Sequence, residues 1–337
     1  MAVGSSIGGV SAIDVTASIE EALEGHRREL TGYCYRMLGS GFEAEDAVQE
    51  TMVRAWRAAD TLGAREALRA WLYRIAHNVC LDMLKGSQRR ARPMDLGPSS
   101  TAATTLGPPL VEQTWVMPIQ DSRVLPTEGD PAEMTAAKET IKLAFVAALQ
   151  VLPPKQRAVL ILREVLRWQA SEVAELLGTS VASVNSALQR ARATIEASDI
   201  DASTTPSEVE GDEERDLLAR YVDTFENYDV SAFVALLADD AQFSMPPFDL
   251  WLRGPEQVGQ WLVGQGSACR DSKLVPLEAN GSPAFAQYKL SDEPGVRRPW
   301  AIVVLETDGT RVTQICSFLG DELFKAFGLP LELRDAA

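Results

Sequence analysis

The chain has 337 residues, enough for two or three separately cored domains, and its 32 basic against 48 acidic side chains give a formal charge of -16. A pI near 4.7 excludes a stand-alone nucleic-acid binder of the uniformly basic kind, and no run of about 20 unbroken apolar residues marks a membrane span. The four cysteines, Cys34, Cys80, Cys269 and Cys316, have no CxxC spacing and no histidine pair nearby, which excludes a zinc ribbon or disulfide framework and predicts small buried hydrophobes in a reducing compartment.

The opening MAVGSSIGGVSAIDV lacks the basic start and long apolar core of a signal peptide, so residues 1–18 are predicted to be a disordered tail of a cytoplasmic protein. From 19 to 92 everything reads as helix. Ala47, Val48, Thr51, Met52, Ala55 and Trp56 form one apolar face, and Trp71, Leu72, Ile75, Ala76, Val79 and Met83 form a second. Gly39, Gly41 and Gly63 break the helices. Trp56 and Trp71 lie on these faces and are expected in the core. His77 has no acid or nucleophile beside it and is not expected to be a catalyst. Between Arg65 and Arg92 there are seven basic residues against two acidic ones, whereas Glu196–Asp240 holds 14 acids against Arg215 and Arg220. An acidic whole with a local basic patch suits a protein that touches DNA inside a larger assembly.

Residues 93–131 are rich in Pro, Gly, Ser and Thr without periodicity and read as a linker. A tryptophan in such a segment is costly to leave in water, so Trp115 is expected to dock, most naturally on the C-terminal domain. A second helical block, 132–197, ends in QASEVAELLGTSVASVNSALQRAR. Ala174, Gly178 and Val184 sit where a helix-turn-helix needs a small residue, a turn and a β-branched filler. Thr179 or Ser180 supplies the N-cap, and Val181, Val184, Leu188 and Ile195 share the inner face. The outer face, with Ser180, Ala182, Ser183, Asn185, Ser186, Gln189, Arg190 and Arg192, is the set that reads bases and clamps phosphates.

An acidic connector, 198–211, reads as disordered. Residues 212–337 then change character. One amphipathic helix (Leu218, Tyr221, Val222, Phe225) and two shorter ones near Phe233 and Trp261 precede strands near Gln242–Met245, Lys273–Glu278, Ala284–Leu290, Trp300–Glu306 and Arg311–Phe318. Thr307-Asp308-Gly309-Thr310 is a hairpin turn. This is an α+β domain. Both histidines, His26 and His77, lie outside it, so Asp239, Asp240, Asp249 and Arg253, with Trp251, Trp261 and Trp300 as walls, suit a ligand pocket better than acid/base catalysis.

Residues 25–197 resemble the bacterial extracytoplasmic-function class of RNA polymerase sigma factors. Ala44-Glu45-Asp46-Ala47-Val48-Gln49-Glu50-Thr51 looks like that family's core-polymerase-binding helix, which implies that Asp46, Gln49, Glu50 and Arg54 face the clamp helices of the large subunit. LRAWLYRIAHNVCLDMLKGSQRR, Leu68–Arg90, resembles the element that opens and reads the downstream promoter box. On that likeness Trp71 and Tyr73 offer ring surface, Arg74, Lys85, Arg89 and Arg90 charge, and Asn78 a base-edge hydrogen bond. Where the family's recognition helix has lysine and arginine, this chain has Asn185 and Ala187. That loss of cations implies weaker phosphate anchoring and a different upstream box.

Arg220–Gly254 resembles the SnoaL-like members of the cone-shaped NTF2 superfamily. Trp115-Val116-Met117-Pro118, followed by Asp121, looks like the Trp-x-x-Pro motif in the linker of sigma factors that carry such a domain. The fold implied is two all-α sigma domains, the second a helix-turn-helix, followed by an α+β cone-shaped SnoaL/NTF2-like domain. The implied function is promoter-specific initiation with core RNA polymerase and promoter DNA as partners. The C-terminal domain would contact the linker or sigma domains, either as a sensor of a small-molecule ligand or as a purely structural regulatory contact, with no metal or cofactor. Two other readings stay open: a ligand-responsive DNA-binding regulator acting without polymerase, and a SnoaL-like enzyme on a vestigial DNA-binding unit.

Overall fold

The computed structural model describes residues 20–59, 68–198 and 211–334. The expected tail, the break at Gly63 and all but the ends of the acidic connector lie outside them. The first helical unit is built on α1 (Arg27–Leu38), α2 (Gly41–Arg57) and α3 (Leu68–Met83). Gly39 ends α1 with φ +74°, and the Ser40 hydroxyl accepts the Glu43 N–H at 3.4 Å to start α2. Ala47, Val48, Thr51 and Ala55 are buried as the spacing requires, whereas Trp56 is 54% exposed in a shallow groove beside Leu23 and Arg27. The expectation of a core Trp56 is therefore corrected: it sits at the edge of the apolar stripe. Trp71 is half-buried against the core, and His77 is a core residue sharing a 3.0 Å hydrogen bond with Tyr33.

The second unit runs through α4 (Pro131–Glu139), α5 (Leu143–Gln150), α6 (Pro154–Leu160, prolonged by one wide turn to Val165), α7 (Ala170–Leu176) and α8 (Val181–Glu196). Gly178, at φ +60°, makes the turn between α7 and α8. Ala174 and Val184 are buried between them. The Ser180 hydroxyl accepts the Ser183 N–H at 3.2 Å, which makes Ser180 the N-cap. Val181 departs from its expected place: it is 44% exposed, because the first turn of α8 lies beyond the helix it would pack on.

The third unit places α9 (Asp212–Glu226), α10 (Val230–Val234) and α11 (Pro255–Val263) on one face of a seven-stranded sheet. Its strands are β1 (Leu237–Ser244), β2 (Trp251–Arg253), β3 (Lys273–Ala279), β4 (Ser282–Leu290), β5 (Val296–Thr307), β6 (Val312–Leu319) and β7 (Leu333–Arg334). The order is β2-β1-β6-β5-β4-β3, with β7 against β5; β1 and β6 run parallel and the other pairs antiparallel. α12 (Asp321–Ala326) follows β6.

β5 and β4 explain why this unit does not stand apart. Ala301, Val303 and Leu305 belong to the apolar cluster shared with the helices, while the alternate residues Ile302 and Val304 belong to the cluster that contains the first two units. Ala284, Ala286 and Tyr288 of β4, and Cys316 and Phe318 of β6, join that second cluster. A sheet apolar on both faces needs a cover on both.

The tip of the β3–β4 hairpin locks the three units together. Asn280, at φ +59° and fully buried, is followed by Gly281 at φ +68°, the Asn-Gly pair that a tight hairpin favours. The Asn280 amide donates to the Tyr35 hydroxyl of α1 at 2.5 Å and to the Ile141 carbonyl at 2.7 Å. Its side-chain oxygen accepts the Ile119 N–H at 3.0 Å, and its own N–H donates to the Ile119 carbonyl at 3.1 Å. One side chain thus bonds the first unit, the linker and the entry to the second.

Asn280→Ala would leave the Ile119 N–H and the Ile141 carbonyl unpaired, while the Tyr35 hydroxyl keeps its bond to Met117, and is expected to cost about 2–4 kcal/mol of stability, read as a lower urea midpoint. Gly281→Val, whose Cβ would meet the Lys138 backbone at 2.7 Å, is expected to separate the C-terminal unit, and trypsin cleavage at Arg123 should rise.

Candidate functional site

The outer face of α8 is open to solvent. Ser180, Ala182, Ser183, Asn185, Ser186, Gln189, Arg190 and Arg192 are all exposed, so the structure brings together the whole expected set. Arg190 donates to the Ser186 hydroxyl at 2.6 Å along α8, whereas Arg192 reaches across to pair with Glu164, in the turn that prolongs α6, at 2.6 Å. Ala187 is buried among the apolar residues behind. Of the two departures in the recognition helix, only Asn185 therefore changes the exposed surface.

The expected strand-opening set divides. Arg74, Asn78, Lys85 and Arg89 are exposed around α3 and the turn after it. Tyr73 and Arg90 are not, and their expected role is corrected. The Tyr73 ring lies 5.3 Å from Tyr33 and 5.0 Å from Trp168 of the second unit, with the Arg69 guanidinium over both Tyr73 and Trp168. Burial and the nearby Glu29 carboxylate push the Tyr73 hydroxyl pKa up. Arg90 pairs with Glu43 at 2.6 Å and donates to the carbonyls of Glu112 and Trp115 at 3.0 and 2.7 Å. These two side chains hold units together, and both partners come from segments too distant for local patterning to find. Arg36 and Arg157, also buried, do the same: Arg36 donates to Thr140 and Arg157 to the Met37 carbonyl. Desolvation lowers both guanidinium pKa values to about 10.

On α2, Asp46, Gln49 and Glu50 are exposed, whereas Arg54 is tied to Glu50 at 2.7 Å and to Asp82 at 3.4 Å, linking α2 to α3. Beside this face runs a cleft between the start of α2, the linker and α12, lined by Phe42, Glu45, Asp46, Arg123, Leu323 and Ala326 among others. Arg123 bridges it, pairing with Glu45 and donating to the Ala326 carbonyl at 2.9 Å.

The linker is packed rather than loose. Trp115 is 1% exposed, and Val116, Met117 and Ile119 are buried with it. Pro118 passes so close to α2 that a Cβ on Gly41 would meet its carbonyl oxygen at 2.7 Å. The bonds that hold the segment around Trp115 go to the first unit, not to the expected C-terminal domain: Ala91 donates to Thr114, Val116 to Ala91, Met117 to Gly39, and Arg90 to the Trp115 carbonyl. Asp121 accepts the Gly281 N–H at 2.8 Å, and burial, opposed by that bond, raises its carboxyl pKa to about 6.

Within the C-terminal unit, helices and sheet enclose a cavity of about 240 Å³. Trp261 and Trp300 line it together with Tyr221, Phe225, Phe233, Phe243 and Phe248, and Gln265, Gln287, Ser317 and Cys269 are its polar wall. Trp251 and Arg253 are not among its lining. The Trp251 indole N–H donates to the Gly97 carbonyl at 2.9 Å with Arg253 over its ring, and Asp239, Asp240 and Asp249 are exposed outside. Among the described residues no group of His, Cys, Asp and Glu could hold a metal ion, and no helix is long and apolar enough to cross a membrane.

Three family models match the chain: sigma-70 region 2 over residues 22–90, sigma-70 region 4 over 142–195, and a SnoaL-like domain over 218–315. The extracytoplasmic-function RNA polymerase sigma factor SigG of Mycobacterium tuberculosis is 42% identical over 91% of this chain and 82% of its own length. SigW of Bacillus subtilis is 31% identical over 47% of this chain and 76% of its own. The crystal structure of the Mycobacterium tuberculosis extracytoplasmic-function sigma factor SigJ superposes with a TM-score of 0.57 at 22% identity, covering 94% of this chain and 99% of that one, and shares the fold.

A carboxyl whose pKa stands at about 6 in the fold against about 3.9 unfolded stabilises the protein fully below pH 4, and that contribution fades as pH rises to 6. Asp121→Asn, which keeps the acceptor, is therefore expected to flatten the pH profile of thermal stability between 4 and 6 and to gain about 2 kcal/mol at neutral pH. Subtracting the two profiles isolates Asp121 from His77, whose pKa burial lowers to about 4 and which acts in the opposite sense. An unchanged difference across that window would refute the assignment.

Proposed function

The chain belongs to the extracytoplasmic-function RNA polymerase sigma factors, and we propose that its SnoaL-like domain restrains initiation by clasping the two sigma domains together. The protein directs promoter-specific transcription, with core RNA polymerase and promoter DNA as its partners, and the polymerase performs the chemistry. The domain limits we assign are 19–92, 93–131, 132–197 and 212–337, the last following a 198–211 connector, in a cytoplasmic protein.

In this reading Asp46, Gln49 and Glu50 meet the polymerase, and Ser183, Asn185, Ser186, Gln189, Arg190 and Arg192 read the upstream box. Arg74, Asn78, Lys85 and Arg89, beside half-buried Trp71, take the melted strand. The observation that carries the clasp is Asn280, whose four hydrogen bonds reach α1, the linker and Ile141. Two sigma domains that read separate boxes on one duplex need freedom from each other. Here the Tyr73–Trp168 contact presses them together. A polymerase approaching Asp46 would also meet α12 across the narrow cleft. The cavity, whose wall carries Gln, Ser and Cys as its polar groups, suits binding rather than turnover.

Transcription with purified core polymerase on the gene's own upstream region tests this. Gly281→Val is expected to initiate several-fold more than the native chain, with core binding at least as tight. A variant that binds core normally yet initiates less would reverse the sign. Arg190→Ala should weaken promoter binding by the holoenzyme at every sequence tested and reduce the slope of log affinity against log salt by about one.

A further inference from the structure

A cleft opens where the first sigma domain, the linker and the second sigma domain meet. Its lining includes Gln88, Arg89 and Arg90 from the segment after α3, Gln113 from the linker, and Gln150 and Arg157 from α5 and α6. Its volume is about 210 Å³. Floor and rim differ in character. Arg90, Gln150 and Arg157 are buried. Arg157 donates only to neutral oxygens, the carbonyls of Met37, Gln150 and Leu152 and the Gln150 side chain, and its Nε–H has no partner. Gln88, Arg89 and Gln113 are exposed, and among the described residues their side chains make no hydrogen bond or ion pair. Among those residues Glu43 is the only carboxylate in the lining, and Arg90 takes it at 2.6 Å. Three guanidinium groups thus share one carboxylate.

We propose that this cleft binds a small phosphate-bearing anion, a free diphosphate or the diphosphate of a nucleotide, and that the anion ties the two sigma domains to the linker. A guanidinium buried among neutral groups lacks a counter-charge, and a second cation beside it adds to that need. Burial lowers the Arg157 pKa, and the charge of Arg89 lowers it further. An anion in the cleft relieves both effects. The free donors favour phosphate over a carboxylate. The Arg89 fork and the Gln88 and Gln113 amides come from two separate segments, which suits an oxyanion with acceptors on every side, and an arginine fork pairs bidentately with phosphate oxygens. The cleft is walled by both sigma domains and exists only while they are together. Its ligand therefore stabilises the closed arrangement by mass action and takes Arg89 from the melted strand. The site stands on its own geometry, and only this regulatory consequence rests on the restraint reading.

The test is calorimetric titration of the full chain with inorganic pyrophosphate at constant ionic strength, with ADP as a second arm. Saturable binding of one anion per chain is expected, and Arg89→Ala should weaken it about tenfold or more. Lys85→Ala, which removes an exposed cation of the same turn that is not part of the lining, should change it by less than about twofold. Tighter binding of ADP than of pyrophosphate assigns the phosphate to a nucleotide, and equal or weaker binding assigns it to a free diphosphate; either supports the site. Equal losses in the two variants would reduce the binding to diffuse charge and overturn the site. So would the lack of saturable binding of either anion in the millimolar range. With pyrophosphate bound, hydrogen–deuterium exchange is expected to slow both in peptides covering 84–92 and in those covering 148–160. Slowing in only one of the two would overturn the tie between domains. Neither measurement involves polymerase or promoter, so their failure would leave the restraint reading standing, and failure of the transcription assay would leave the site standing.

Discussion

The arrangement depends on a sheet with two apolar faces. One face closes over α9–α11 and makes the cavity; the other, with Ile302, Val304, Cys316 and Phe318, shares a core with the sigma domains and linker. Neither face can be left in water without exposing a patch that would seek another cover. The residues that build the cavity and those that grip the sigma domains therefore alternate along the same strands. A change in the packing of Val303 is one peptide bond from Ile302 on the opposite side. In the restraint proposed above, that adjacency is how packing on the cavity side would be felt on the side that grips the sigma domains.

Buried cations explain a second feature. The basic stretch of the first domain reads from sequence as a DNA track, yet Arg90 is spent on Glu43 and two linker carbonyls, and Arg36 and Arg157 on carbonyls across the interdomain seam. A guanidinium is suited to this work: its planar fork satisfies several carbonyl oxygens at once, so a loop end and a helix end can be buried together without unpaired groups. The linker can consequently cross a core with few regular hydrogen bonds of its own.

How much of this was legible beforehand follows the range of the interactions. The helix-turn-helix was readable because Ala174, Gly178, Val184 and Ser180 do their work within a dozen residues of one another. The β5–β6 hairpin is readable from its turn, Thr307-Asp308-Gly309-Thr310, and Asn280-Gly281 carries a turn signal of the same kind, although nothing local marks it as the junction of three units. Tyr73 and Arg90 were misplaced because their partners, Trp168 and Trp115, stand far away in the chain. Trp56 and Val181 were misplaced for another reason. Periodicity gives the direction of an apolar stripe but not its width or where its neighbour ends, and both residues lie at such an edge. Trp251 was assigned to the pocket from residue type alone, whereas its indole anchors the linker outside it.

The chemistry of the seam bears on whether it can open. Asn280, Asp121, Arg36 and the Lys142–Glu306 pair at 3.7 Å are polar groups taken out of water, and burial raises the pKa of Glu306. Buried polar groups lose little when separated if each regains water, whereas the apolar face of the sheet opposes opening by the area it would expose. The polar pairs thus add little to the cost of opening beyond that of the apolar area. In the proposed restraint, moving the domains from the closed to the separated arrangement takes a differential affinity of about 5.5 kcal/mol, which a polymerase binding only the separated domains would have to supply. A seam made wholly of Ile and Phe would have been tighter and could not have been released; one made wholly of polar pairs would not have held. The mixture at Asn280 and β5 suits the reversible restraint proposed above.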